Sequence, residues 1–336
     1  MIRGESHTPE HRPLIGSQLE WAPSLRRRHS GWRYFQVIHG SIAKHHFDIP
    51  DPSMRFADVK KAFNMADSDQ SMPRLLSLPS EIRAAILDYV FDGDEHANGL
   101  TIASDGSGKA MTDHKYSAAR ILAPLLVCRQ LYCDGSLLAF GRTHFSVTNL
   151  YIRIPDRLAQ LHPKQIEALR SISLTVDKRH FRDLRSWGSH AFACPGLSLD
   201  SLTIVLHQSS QHYLFDFTAD VVNLLRQLQS VQSLAFVRNR AHVKGNFKTW
   251  CNRLVGLIMK TDHYERYDVQ PPNPEQTWWT WKFDDACETF RLKACPSKAM
   301  VDEETYMQQI KPLMQELMVS IESEEWNPDP RARNGT

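Results

Sequence analysis

Leu199-Asp200-Ser201-Leu202-Thr203-Ile204 is the stretch on which the reading of this chain turns, because it has an echo on either side. Thirty residues earlier stands Leu169-Arg170-Ser171-Ile172-Ser173-Leu174, and 32 residues later Val231-Gln232-Ser233-Leu234-Ala235-Phe236. Each reads apolar-x-Ser-apolar-x-apolar, the alternation of a strand with one buried face. A strand that recurs at a near-constant interval, with room for a helix between copies, predicts units stacked into a curved, largely parallel sheet, each needing its neighbours to bury its apolar face. The intervening helix is clearest at Asp220 to Leu228.

Outward from the series, Phe145-Ser146-Val147 and Trp279-Thr280-Trp281-Lys282-Phe283 keep the alternation at irregular spacing and predict atypical or capping strands at the ends of the sheet. Trp278, Trp279 and Trp281 offer ring faces for a base or sugar. Trp279, Trp281 and Phe283, however, share one face of a strand, as core residues do, which leaves Trp278 on the opposite face with exposure allowed. Phe247, Trp250, Leu254, Leu257 and Ile258 mark an amphipathic helix, followed by the loop Gln270-Pro271-Pro272-Asn273-Pro274. A last helix carries Met307, Ile310, Met314, Leu317, Met318 and Ile321, a stripe read as sealing the core, with a kink or restart expected at Pro312.

Toward the N-terminus the texture changes. In Leu78-Pro79-Ser80-Glu81-Ile82-Arg83, proline suits the first helical turn and Glu81 the positive end of the helix dipole, and Ile82, Ile86, Tyr89 and Val90 then recur at helical spacing. That helix ends near Asp92-Gly93-Asp94. Leu100-Thr101-Ile102 and Asp105-Gly106-Ser107-Gly108 predict a short hairpin or loop inserted into a helical motif. A second helix is expected from about Pro124, with Leu125, Cys128, Leu131, Tyr132, Leu138 and Phe140 on one stripe; Gly135 weakens it by about 1 kcal/mol relative to alanine.

These two helices, through Leu78-Pro79-Ser80-Glu81-Ile82-Arg83 with Ile86, Val90 and Phe91, and Leu125-Leu126-Val127-Cys128-Arg129-Gln130-Leu131-Tyr132 with Phe145, resemble the F-box-like modules of fungal proteins, some of them known for a Glu-x-Arg signature. The resemblance spans about seventy residues. It departs from the compact form in the roughly thirty residues between the helices, and in Asp134-Gly135 where the fungal pattern often has Glu-Ala. It implies a small orthogonal helical bundle whose exposed apolar residues dock on the small adaptor subunit of a cullin-RING ubiquitin ligase. Leu78, Pro79, Ile82, Ile86, Val127 and Cys128 are then the candidate adaptor-contacting or module-core set. The echoing strands, over about a hundred residues, look like degenerate leucine-rich repeats, which in F-box proteins often capture the substrate.

The expected fold is thus mixed α+β and α/β. A mostly disordered arm fills 1–70, an F-box-like helical module with an insertion at about 92–120 fills 71–148, a repeat-like β/α region with a largely parallel sheet fills 149–325, and a disordered tail ends the chain at 326–336. In the arm, Arg26-Arg27-Arg28-His29 is read as a solvated basic stretch rather than an import or phosphate-binding signal, and His39, His45 and His46 with Asp48 match no zinc spacing.

Composition narrows the function classes. Forty basic against 38 acidic residues leave a net charge of +2, too little for a broad phosphate-neutralising surface, so nucleic acid is not an expected partner. No signal-peptide-like run opens the chain and no apolar stretch is long enough to span a bilayer, which predicts an intracellular protein, cytoplasmic and/or nuclear. Six scattered cysteines without CxxC spacing predict free thiols.

Chemical motifs are sparse. Gly108-Lys109 is followed by Ala110, and Ala103 stands where a phosphate loop needs its first glycine. No Gly-x-Ser-x-Gly elbow, His-Glu-x-x-His pair or dinucleotide fingerprint occurs. No cofactor, metal or catalytic residue is therefore assigned. The expectation is a non-catalytic adaptor whose partners are the ligase's small adaptor subunit, its cullin and a protein substrate. A scaffold with the same helical fold but no ligase role stands as the alternative, and an enzyme of unrecognised type as a remote one.

Overall fold

The computed structural model describes residues 75–92 and 99–326. The arm expected over 1–70, with its arginine and histidine clusters, lies outside those residues, as does the expected tail beyond residue 326. Among the described residues no helix is long and apolar enough to cross a membrane.

Helix α1 (Ser80–Phe91) leads to the hairpin β1 (Leu100–Ile102) and β2 (Ala110–Thr112), then α2 (Ala118–Ile121), a 3-10 turn (Ala123–Leu126) and α3 (Arg129–Arg142). There follow β3 (His144–Val147), α4 (Ile154–Leu158), α5 (Pro163–Ala168), β4 (Ser171–Val176), α6 (Lys178–Asp183) and β5 (Leu199–Leu206). The remainder is β6 (Gln211–His212), α7 (Thr218–Gln227), β7 (Val231–Val237), β8 (His242–Val243), α8 (Phe247–Tyr267), β9 (Thr277–Asp284), β10 (Thr289–Pro296) and α9 (Glu303–Trp326).

Six strands form a mixed, mostly parallel sheet in the order β3-β4-β5-β7-β10-β9. The three echoing segments are adjacent parallel strands, and their sequence alignment is their register. Ser171 opposes Ser201, which opposes Ser233; Ile172, Leu202 and Leu234 form the next row, and Leu174, Ile204 and Phe236 the one after. Because side chains alternate across a strand, this register puts the second and third apolar residues of every repeat on one face. β3 and β9 occupy the two edges, where the Phe145 and tryptophan alternations place them. The sequence reading assigns no strand to Thr289–Pro296, yet β10 lies between β7 and β9, antiparallel to both, so the tryptophan strand does not follow the series directly.

The apolar face packs beneath the helices. Ile172, Leu174, Leu202, Ile204, Leu234, Phe236, Phe290 and Leu292 share one core with Val221, Leu225, Trp250, Leu254 and Ile258 of α7 and α8. Asn246 caps α8 by accepting from the Lys248 amide, and the helix then keeps its apolar stripe on the sheet for 21 residues. α9 is a single helix that runs through Pro312, with no restart there. Pro312 is exposed while Ile310, Leu313 and Leu317 pack into the core, and that packing holds the helix together across the missing hydrogen bond.

The second helix also begins later than its proline suggests. Pro124 starts the 3-10 turn, and Cys128 then adopts an extended conformation (φ −156°, ψ 162°) with its Sγ accepting from the Leu131 amide, so α3 starts at Arg129.

The opposite face of the sheet is polar. Between α1 and α3 the chain makes the hairpin β1–β2, which crosses this face as a strap. At one end Gly99 lies against Ser146 and His144. Toward the other end, the Ala110 amide donates to the Cys287 carbonyl, Lys109 pairs with Glu288 at 3.1 Å and Arg240 pairs with Asp105. Ala110, Val205 and Val237 form a small apolar cluster beneath the strap, and the Thr112 amide donates to the buried Asn239 Oδ1.

Candidate functional site

α1 and α3 cross over a glycine. A Cβ built on Gly135 would lie 2.8 Å from Leu87 Cδ1, 3.4 Å from Leu125 Cδ2 and 3.5 Å from Phe91 Cε2. Gly135 thus gives up helix propensity so that α1 and the 3-10 turn can both rest on α3. Leu87, Phe91, Leu122, Leu125, Leu131 and Ala139 form the small core that results.

The arginine of the Glu-x-Arg sequence is part of this junction. Arg83 is 7% exposed, and its Nε donates to Asp134 Oδ2 at 2.7 Å. Its Nη1 donates to the carbonyl of Leu78, and at 3.4 Å to that of Leu76. Asp88 and Arg142 add a solvent-exposed pair between the same helices at 2.9 Å, worth little by itself.

Residues 83, 87 and 91 make the buried stripe of α1, and the stripe beside it is apolar and uncovered. Ile82 is 50% exposed, Ile86 is half-buried, and Tyr89 and Val90 are exposed. Pro79 is exposed at the N-cap, and Leu78 just before it is half-buried. On the neighbouring turn Leu126 is exposed and Val127 is 74% exposed, whereas Cys128 is half-buried, packs on the small core and caps α3. Of the six candidate residues, then, Pro79, Ile82 and Val127 present themselves to solvent, Leu78 and Ile86 do so in part, and Cys128 serves the fold.

On the polar face of the sheet, beside the strap, opens a cleft of about 680 Å³. Ser201, Thr203, Ser233, Ala235, Thr289 and Arg291 form its floor, and Leu100, Thr101, Ile102 and Asp113 its hairpin wall. Single-strand patterning could not find this cleft, because its wall is an insertion more than 80 residues from its floor. The hydroxyls themselves were legible as the repeated serine of each echo.

Nearby, His144 Nδ1 lies 2.6 Å from Ser171 Oγ. Burial holds the imidazole down at about 4, so it is neutral at pH 7 and a poor base for activating a hydroxyl. Tyr116 donates to the His144 carbonyl.

Two expectations about side chains change. Trp278 is buried, not exposed, because Lys298 folds over it with Nζ 3.4 Å from the ring centroid. The methionine stripe of α9 does not seal the core: Met307, Met314 and Met318 are exposed and, with Met259 and Lys260 of α8, line a groove of about 340 Å³, while Ile310 alone of the stripe is fully buried.

The sequence reading also misses a buried ionic network. Arg266 donates to Asp262 at 2.9 Å and to Glu275 at 2.6 Å, and the Tyr306 hydroxyl donates to Asp262 at 2.7 Å. Burial pushes Asp262 up, but hydrogen bonds from Glu275, Tyr306 and Arg266 outweigh it and hold the carboxyl below its usual range. Glu275 is raised, first by burial and then by Asp262 beside it. The network ties α8 to the loop before β9 and to α9. Its only trace in sequence is the i, i+4 spacing of Asp262 and Arg266.

Among the described residues no group of three or more His, Cys, Asp or Glu is arranged to hold a metal ion, and none of the six cysteines is paired. Compared with protein families, curated proteins and solved structures, the chain matches none.

Proposed function

We propose that this chain is a non-catalytic interaction adaptor, the substrate-recognition subunit of a cullin-RING ubiquitin ligase of the F-box type. In this reading α1, the 3-10 turn and α3 are an F-box-like module, and the region from β3 onward is a degenerate leucine-rich-like domain that holds a protein target. The observation that carries it is the stripe of exposed Pro79, Ile82 and Val90 with half-buried Ile86 among them, and Val127 on the adjoining turn, beside a stripe that is fully used in the fold. Apolar side chains spaced i, i+4 and i+8 and left in water on a packed helix are the pattern of helix-mediated docking. The matching serine register of β4, β5 and β7 supports the repeat reading. The protein would work inside the cell, in the cytoplasm and/or the nucleus.

One observation favours the scaffold alternative. The insertion is strapped to the sheet through Asn239, Cys287 and Glu288, which commits the helical module to its own chain more firmly than a free docking module requires.

Affinity purification of the intact protein beside Ile82→Asp/Val127→Asp separates the two. Recovery of the small adaptor subunit and cullin with the wild type, and their loss with the variant, is the expected result. If neither subunit accompanies the wild type, the ligase reading is wrong and the scaffold reading replaces it.

A further inference from the structure

We infer that the cleft beside the strap binds a phosphorylated segment of a partner protein, with the phosphate held by Arg291, Lys293 and Lys282. The inference rests on the adaptor reading for its biological setting, because it names the chemistry of the captured target.

Register places these residues together. One row across the polar face runs Ser171, Ser201, Ser233, Lys293, Thr280, and the next runs Ser173, Thr203, Ala235, Arg291, Lys282. Arg291 directly opposes Lys282, and Lys293 is two residues along the same strand, on the same face. Like charges directly opposite each other on a sheet are destabilising.

No close ion pair relieves them. All three side chains are exposed, and none forms an ion pair among the described residues. Most of the acidic groups nearby are committed elsewhere. Glu288 is paired with Arg238 at 2.6 Å and with Lys109, Asp105 is paired with Arg240, and Asp113 accepts from the Lys115 amide. Asp284 accepts from the Cys287 amide, which chiefly lowers its carboxyl; Arg291 adds to this from a distance. The molecule therefore holds three adjacent cations without a close ion pair, Arg291 lining the cleft and Lys282 and Lys293 next to it on the same face of the sheet.

The floor supplies the rest of a phosphate site. The hydroxyls of Ser201, Ser233 and Thr203 make no hydrogen bond among the described residues, although Thr203 is buried. A phosphate monoester carries nearly two charges and three acceptor oxygens, matching a cluster of cations with adjacent hydroxyls better than a lone carboxylate does.

The row from Lys293 to Ser201 covers two strand spacings, roughly 10 Å, which is the length of about three extended residues and longer than a phosphate alone. That favours a peptide over free phosphate. A nucleic-acid strand needs a longer basic track than three cations on a chain of net charge +2, and the hairpin wall closes the cleft on one side.

The test uses the purified full chain and two degenerate peptide libraries, one with a fixed phosphoserine or phosphothreonine and one with the unmodified residue. Fluorescence anisotropy should show the phosphorylated library binding at least tenfold more tightly. Arg291→Glu/Lys293→Glu should abolish that preference, whereas Lys178→Glu, an exposed charge on α6, should retain it. Circular dichroism confirms that the variants are folded.

Equal binding of the two libraries overturns the proposal, as does a charge-reversed variant that binds like the wild type. A single-stranded oligonucleotide that outcompetes the phosphopeptides overturns it too, and assigns the face to nucleic acid. Ile82→Asp/Val127→Asp should still bind the phosphorylated library, and Arg291→Glu/Lys293→Glu should still co-purify whatever ligase subunits the wild type does, so failure of one reading is distinguishable from failure of the other.

Discussion

Arg83 of α1 reaches across to Asp134 of α3 with Nε and Oδ2 2.7 Å apart, and the same guanidinium also hydrogen-bonds the Leu78 carbonyl that precedes α1. One side chain therefore fixes both where the first helix starts and how it meets the second. Asp134→Ala should cost about 2 kcal/mol, because it leaves a largely buried cation with only carbonyl partners. Arg83→Lys should cost a similar amount, since a single ammonium cannot satisfy three acceptors arranged for a planar fork. Urea denaturation of both variants checks this, and an unchanged midpoint would remove the junction from the account of stability.

Gly135→Ala should not stabilise the protein, despite a helix-propensity gain of about 1 kcal/mol. The new methyl would lie 2.8 Å from Leu87 Cδ1 inside a packed core, an overpacking cost of about 1–3 kcal/mol. The double variant with Leu87→Ala tells overpacking from a general glycine effect. Leu87→Ala should cost about 2–5 kcal/mol by itself, and the pair should be less damaging than the sum by about 1 kcal/mol. Simple additivity would show that the two residues do not press on each other.

His144 makes stability fall with acid. Its folded-state value of about 4 lies below the 6.5 of free imidazole, so between those limits the unfolded chain takes up a proton that the folded chain refuses. Stability present above pH 6.5 is lost progressively down to about pH 4, by about 3 kcal/mol for a shift of this size. His144→Gln, which keeps a partner for Ser171, should flatten the dependence of the urea midpoint on pH across that window. An unchanged slope would place the titration on other groups.

Asp262→Ala should destabilise by about 3–5 kcal/mol, since it removes one carboxylate from fully buried Arg266 and the acceptor of the Tyr306 hydroxyl. Thermal unfolding measures it. A loss below 1 kcal/mol would mean that water enters and replaces the carboxylate.

The sheet was legible in sequence because three strands repeat one pattern, and that repetition carried the register as well as the strands: the serines that align on paper oppose one another at 171, 201 and 233. β10 was not read, although Phe290 and Leu292 alternate with Arg291 and Lys293 as a strand requires. It breaks the repeat interval and follows the tryptophan strand so closely that only pairing reveals it. The exposed apolar stripe of α1 was half legible. Helical spacing located Ile82 and Ile86, but only packing shows that Arg83, Leu87 and Phe91 are the buried side and that Cys128 is a cap. The cationic cluster could not be read along the chain at all, because Lys282 and Arg291 meet across two strands and the wall of the cleft beside Arg291 comes from another part of the sequence.

The strap also has a consequence in time. Ala110 and Lys109 find their partners at Cys287 and Glu288, nearly 180 residues further along the chain. At translation speeds of about 5–20 residues per second, the ribosome adds that length in roughly 10–35 s, during which the hairpin lacks these last two anchors. The small core of α1, the 3-10 turn and α3 uses no residue beyond Phe145 and can form early, whereas the strap is fully anchored only when the last strands arrive. A truncated chain ending before Cys287 should therefore keep its helical junction while the Lys109–Ala110 end of the strap stays unanchored.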